Sequence, residues 1–180
     1  MAKVLEKPNL VNLIIAILHP IDLEIGIIKN SLIKRFGEID FISQPFSFSH
    51  TTYYEDEMGK NIVKTIISFN DLIKNTDMKV IKYFTLQLED KYKINENRQF
   101  NLDPGYIDLN KLVLSTTKNR GHRISIGWGL YEEITLWYRK GKFEDLMWTY
   151  PSYKSVQVKE FLLKIRTAYK KKLKRIVENE

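Results

Sequence analysis

The stretch RQFNLDPGYID, residues 98–108, decides the fold. Taken alone, its Asp-Pro-Gly-Tyr is ordinary turn chemistry. Pro104, however, restricts the residue before it to β or polyproline geometry, so the whole stretch reads as extended. Upstream, TDMKVIKYFTLQLEDKYK (76–93) places Ile81, Phe84, Leu88 and Tyr92 on one face, with Thr76 as a candidate cap, and predicts a helix. NIVKTIISF (61–69) reads as a strand, and IDFISQPFSFS (39–49) alternates well enough for another. Pro45 marks that segment as an edge or a bulge. IDLEIGIIKNSLIKRFG puts Ile25, Ile28, Leu32 and Phe36 at helical spacing, with Asp22 as candidate cap and Gly37 as the stop. NLIIAIL (12–18) is a short apolar run of the kind found in interior strands. With 98–108 as a strand, residues 12–108 spell β-α-β-β-α-β, the order of a ferredoxin-like split unit.

Beyond residue 108, Leu109, Leu112 and Val113 suggest a short helix over 108–117. HRISIG (122–127) and LYEEITLWYRKGKFEDL (130–146) then read as a hairpin-rich segment that turns near Lys140-Gly141. Residues 155–177 form a long amphipathic helix. Its apolar stripe is Val158, Phe161, Leu162, Ile165, Tyr169 and Ile176. The expectation is one α+β domain, with a mixed or antiparallel sheet extended by the C-terminal strands.

Composition narrows the class. A chain of 180 residues, 43% apolar and 28% charged, can bury a core of its own, and no linker or repeat divides it. The absence of cysteine excludes disulfides, thiol catalysis and cysteine metal sites, and fits a cytoplasmic location. The run from Leu13 to Leu18 is far shorter than the about 20 residues that span a bilayer, and no small-residue cleavage site follows it. A buried first strand is the expectation there, with no membrane partner. The net charge of +7 is lopsided. Residues 151–180 carry nine lysines and arginines against three glutamates, so the first 150 residues hold an excess of only one. A basic tail, not a basic body, sets the balance. Lys170, Lys171, Lys172, Lys174 and Arg175 are expected in solvent, where they can meet nucleic acid.

The blocks FGEIDFISQPFSFSHTTYYEDEMG, NLDPGYIDLNKLVLSTTKNRGHRI and GLYEEITLWYRKGKFEDLMWTYPSY, with their spacing, resemble the bacterial domain-of-unknown-function family 4416 over nearly the whole chain. The resemblance implies a single stand-alone domain. It implies no activity and no residue roles. Some members are labelled GTP-binding, but this chain has no G-x-x-x-x-G-K-[ST] loop, and STTKNR is not a guanine-specificity motif.

Chemistry is best sought in residues 101–127. Lys118, Arg120, His122 and Arg123 lie within six residues, and such a loop can hold a phosphate or carboxylate through charge-assisted hydrogen bonds. Thr116 and Thr117 add hydroxyls, Tyr106 a phenol and a stacking face, and Trp148 an aromatic wall. Asp103, His122 and Glu133 are the candidate acid/base groups. Glu132 and Glu133 sit on one strand, so one faces inward and needs a partner, with Arg123 or Lys118 available. The bland alternative is that the cations suit a helix end and that D-P-G-Y is only a turn. Glu55, Asp56 and Glu57 read as a solvated helix start or a loop for a divalent cation. No H-E-x-x-H zinc motif and no G-x-S-x-G elbow is present. A two-histidine phosphoesterase needs two H-x-[ST] motifs. His50-Thr51-Thr52 matches and His122-Arg123-Ile124 does not. Two functions remain open, and the sequence names no cofactor for either. One is binding or processing of a small phosphorylated or nucleotide-like anion. The other is a non-catalytic RNA-binding or interaction module that uses the basic C-terminal helix.

Overall fold

The computed structural model describes residues 9–48 and 53–178. The first strand, β1 (Leu10–Pro20), is buried on both faces, which is why its sequence is a continuous apolar run. Helix α1 (Gly26–Phe36) buries Ile28 and Leu32, and stops at Gly37, whose φ of 87° suits a residue without Cβ. No side chain caps its start, so Asp22 does not play that part. Strands β2 (Ile39–Ile42) and β3 (Phe46–Ser47) follow one another along the same neighbour, interrupted before Pro45. At that break the Ser43 hydroxyl accepts the Ile66 amide hydrogen at 2.9 Å, replacing a lost ladder bond. A short helix, α2 (Glu55–Met58), leads to the long β4 (Ile62–Lys74). A 3₁₀ turn over Asn75–Asp77 starts α3 (Met78–Lys91) without a cap from Thr76.

The stretch that decides the fold is a strand, β5 (Asn101–Ile107). The chain then doubles back as β6 (Lys111–Thr116), a strand where the apolar spacing suggested a helix. Asp108 makes the reversal: its carboxylate accepts the amide hydrogens of Asn110 at 2.7 Å and Lys111 at 2.8 Å. The remaining strands are β7 (Ile124–Gly127), β8 (Leu130–Arg139) and β9 (Lys142–Asp145), with Lys140 and Gly141 at positive φ in the last turn. A short α4 (Pro151–Lys154) precedes α5 (Val156–Glu178).

All nine strands described form one sheet: seven run in the order β2-β4-β1-β5-β6-β8-β7, β3 adds to β4 and β9 to β8, and every pairing is antiparallel. Alternation along β1 divides the core. Val11, Leu13, Ile15 and Ile17 pack with α1 and α3 on one face, whereas Ile14 and Ala16 pack with Val158, Leu162 and Ile165 of α5 on the other. The fold is α+β, three layers deep. Among the described residues no helix is long and apolar enough to cross a membrane.

The C-terminal helix departs from expectation in one respect. Lys170, Lys171, Lys174 and Arg175 are exposed, but Lys172 is not left in solvent. Its Nζ donates to Asp40 Oδ2 at 2.6 Å, Asn12 Oδ1 at 2.7 Å and the Phe69 carbonyl at 2.8 Å. Lys172 points at the sheet because it continues the turn of Tyr169, whose hydroxyl donates to the Leu10 carbonyl.

Candidate functional site

Strand β5 pairs with β1 over its whole length, but with β6 only from Gly105 to Ile107. β6 meanwhile continues beside β8 to Thr116. The two strands therefore part at Pro104. Backbone groups of alternate residues point to the same side, so Leu102, Pro104 and Tyr106 all turn their amide positions toward β6. Tyr106 finds Val113 there. Proline has no hydrogen to donate, which suits the place where the ladder ends. At Leu102 two buried side chains of α3 stand in for the missing strand. Glu89 accepts the Leu102 amide hydrogen at 2.8 Å, and Lys82 Nζ donates to its carbonyl at 2.8 Å. Both are almost fully buried, and both have a structural job.

The parting of β5 and β6 opens a cavity of about 400 Å³, within the range of about 300–1,000 Å³ typical of small-molecule sites. Because it passes through the sheet, it is lined from both faces: Lys82, Leu86 and Glu89 from α3, and Lys64, Ser152 and Tyr153 from β4 and α4. Tyr53, Tyr54 and Tyr150 add aromatic wall. Five cations line it, Lys64, Lys82, Arg98, Lys118 and Arg123, against the carboxylates Glu89, Asp103 and Glu133. Three of the cations are matched. Arg98 binds Glu57 through two 2.7 Å bonds and Glu89 at 3.2 Å. Arg123 Nε donates to Glu133 Oε2 at 2.6 Å, and Lys82 lies 3.5 Å from Asp103. Among the described residues, Lys64 and Lys118 have no carboxylate within ion-pair distance. Lys118 is exposed and lies over the Tyr53 ring at 4.2 Å.

Lys64 is 3% exposed. Its amine donates to Ser152 Oγ at 2.5 Å and lies 3.9 Å from the centre of the Tyr153 ring. Burial pushes the amine down to about 7, and the nearby Asp103 carboxylate pulls the other way without prevailing. Burial also raises the Tyr153 phenol well above its ordinary value, with Asp103 and Glu133 adding to it. The Tyr153 hydroxyl has no hydrogen-bond partner among the described residues. Burial raises the Glu89 carboxyl, opposed by Lys82 and the Leu102 amide.

Asp103, Thr117, Lys118, Arg123 and Glu133, from the sequence-predicted set, all line this cavity. His122 and Trp148 stand behind it. His122 Nε2 donates to Glu133 Oε2 at 2.9 Å, and its ring stacks on Trp148 at 5.1 Å and 11°. Trp148 in turn donates to the Ile134 carbonyl. Glu133 Oε2 is thus occupied twice, and the arrangement fixes the 118–123 loop more readily than it moves a proton. Besides Trp148, two expected ligand contacts do not reach the cavity. Tyr106 shares the parity of Leu102, opposite to Asp103, and packs in the core on the α1 and α3 face. Arg120 is exposed, where its carbonyl accepts the Arg123 amide hydrogen in a turn. The acidic run supplies Glu57 to Arg98, and no metal-binding cluster occurs among the described residues. His50, Thr51 and Thr52 lie outside them.

Sequence reasoning missed Lys64, Lys82, Glu89 and Arg98, whereas Tyr150 and Tyr153 of WTYPSY were candidates for an aromatic wall and do line the cavity. One signal was available: Lys64 interrupts IVKTII, an otherwise apolar strand in which either face is covered.

A family model described as Domain of unknown function (DUF4416) matches residues 9–169. No curated protein and no solved structure matches the chain.

Proposed function

The chain belongs to the DUF4416 family, and from that premise we propose that the protein binds a small organic anion, phosphorylated or nucleotide-like, in the cavity between β5 and β6. One observation carries this reading: a lined cavity whose basic side chains outnumber its carboxylates, with Lys118 at its exposed rim paired to no carboxylate among the described residues. Lys118, at the exposed rim, meets the anionic group, because a charge-assisted bond there loses little solvation. Tyr53, Tyr54 and Tyr150 receive a flat portion of the ligand. Asp103, held by Asn101 at 2.9 Å, accepts from a ligand hydroxyl or amine. We also read the first half of the chain as a ferredoxin-like split unit. The antiparallel order β2-β4-β1-β5, with α1 and α3 on one face, supports that reading.

Calorimetric titration with adenosine monophosphate and with inorganic phosphate tests the site. We expect the nucleotide to bind, Lys118→Ala to weaken it about tenfold, and Arg120→Ala to leave it unchanged. If neither probe binds at millimolar concentration, or if both substitutions weaken binding alike, the cavity is not the anion site.

The second reading places single-stranded RNA on α5. Its supporting observation is that Lys170, Lys171, Lys174 and Arg175 share one exposed face of the helix.

A further inference from the structure

Lys64 does more than the anion site needs. A lysine that only attracts an anion works best charged and at a wet rim, which describes Lys118. Lys64 instead lies on the wall of the cavity under Tyr153, with Phe48 on its other flank at 5.3 Å. A strand interior is a costly place for an amine that could have been an aliphatic side chain. Its only hydrogen bond among the described residues goes to the Ser152 hydroxyl, which can donate as well as accept. The neighbouring Tyr153 hydroxyl is buried on the same cavity and has no hydrogen-bond partner among the described residues.

We propose that Lys64 is a nucleophile that forms an imine with a small aldehyde or ketone carrying an anionic group. This rests on the reading that the cavity takes a small organic anion. The nitrogen lone pair attacks the carbonyl carbon, and the π pair moves to oxygen. That oxygen takes one amine proton, giving a carbinolamine. The hydroxyl then leaves with the second amine proton as water, and the C=N bond remains. No oxidant or reductant is involved, and addition of water reverses the step. The Tyr153 hydroxyl, neutral because its burial disfavours the phenolate, is a donor available to the oxygen that departs. Lys118 at the rim would hold the anionic end. The depressed basicity of Lys64 keeps a large share of the amine unprotonated at neutral pH, as a nucleophilic lysine requires.

The test is reductive trapping. The full chain is incubated with glyoxylate and cyanoborohydride, and the carboxymethylated lysines are mapped by peptide mass spectrometry. Fewer than about one in a thousand ordinary lysines is neutral at pH 7, so Lys64 should be labelled on the order of a hundredfold faster than exposed lysines. Its labelling should reach half its maximal rate near pH 7, and excess adenosine monophosphate should suppress it. Lys64→Met and Lys64→Arg should remove that site and leave the slow background, with melting curves reporting that both variants are folded. Equal labelling of Lys64 and surface lysines overturns the proposal. If the nucleotide binds with the Lys118 dependence stated above and Lys64 is still not labelled preferentially, the nucleophile fails and the anion site survives. If neither is seen, both fail.

Discussion

Lys64 also leaves a thermodynamic signature that does not depend on any ligand. Its folded-state value of about 7 lies below the ordinary 10.5, so between these two pH values the unfolded chain holds the extra proton. Stability from this group therefore rises with pH across that window, and the full penalty applies below about 7. Removing the amine should remove the penalty. We expect Lys64→Met to be more stable than the parent at pH 7 by a few kcal/mol at most, which for a gain of about 2 kcal/mol is roughly 4–8 °C in Tm. The advantage should shrink as pH approaches 10. Thermal melts at pH 7 and pH 10 decide this; a pH-independent difference would mean that Lys64 is charged in the folded state. The residue scale also shows what a sequence can disclose. The polar loop holding Lys118 and Arg123 was visible as a density of charge, and the pairing of Glu133 with Arg123 follows from an inward carboxylate needing a partner. Lys64, Glu89 and Arg98 come from β4, α3 and the loop before β5, and nothing in their local sequence says that they converge.

At the scale of elements, the decisive strand was legible through Pro104, whereas its neighbour was not. Leu109, Leu112 and Val113 fit helical spacing, yet KLVLST is equally a strand with Leu112 and Leu114 on one face. The choice is made by Asp108, which turns the chain in three residues and delivers it back along β5. A short apolar segment carries too few periods to settle the matter alone. Gly105 shows how close this return is. A Cβ at that position would run into the Val113 carbonyl oxygen and the Leu114 side chain, and the former is backbone that cannot rotate away. We expect Gly105→Ala to cost about 3 kcal/mol or more, the upper end of overpacking, and to lower Tm by at least about 6 °C. Chemical denaturation gives the measurement. A loss below about 1 kcal/mol would show that β5 and β6 can separate at little cost. Gly105 begins the β6 ladder just where the cavity ends, so the same substitution should also disturb the anion site, by prising open the seam that bounds it.

For the whole molecule, the question is what the uneven charge does. The C-terminal helix is built into the fold: Tyr169 and Lys172 reach β1, β2 and β4, and Arg166 donates to the Leu109 carbonyl while its guanidinium lies over Tyr138. The sequence foretold a docked apolar stripe. It did not reveal that Lys172 belongs to the docked side, because a lysine long enough to reach buried acceptors looks the same as one in water. That leaves Lys170, Lys171, Lys174 and Arg175 outward on two successive turns. Four such charges suffice for weak, sequence-independent contact with phosphates, since each neutralised phosphate releases counterions. We expect a chain with those four residues made neutral to lose affinity for single-stranded RNA. The slope of log affinity against log salt should fall by about 0.7 per charge removed, about 3 in all. Lys172 is kept in that variant, so the helix stays docked and a lost interaction cannot be blamed on a loosened fold. Adenosine monophosphate binding should be untouched, because none of the four lines the cavity. An unchanged RNA affinity and slope would assign the helix end to solvent. A parallel loss of nucleotide binding would show that the two readings describe one continuous surface, and that the cavity is the inner end of it.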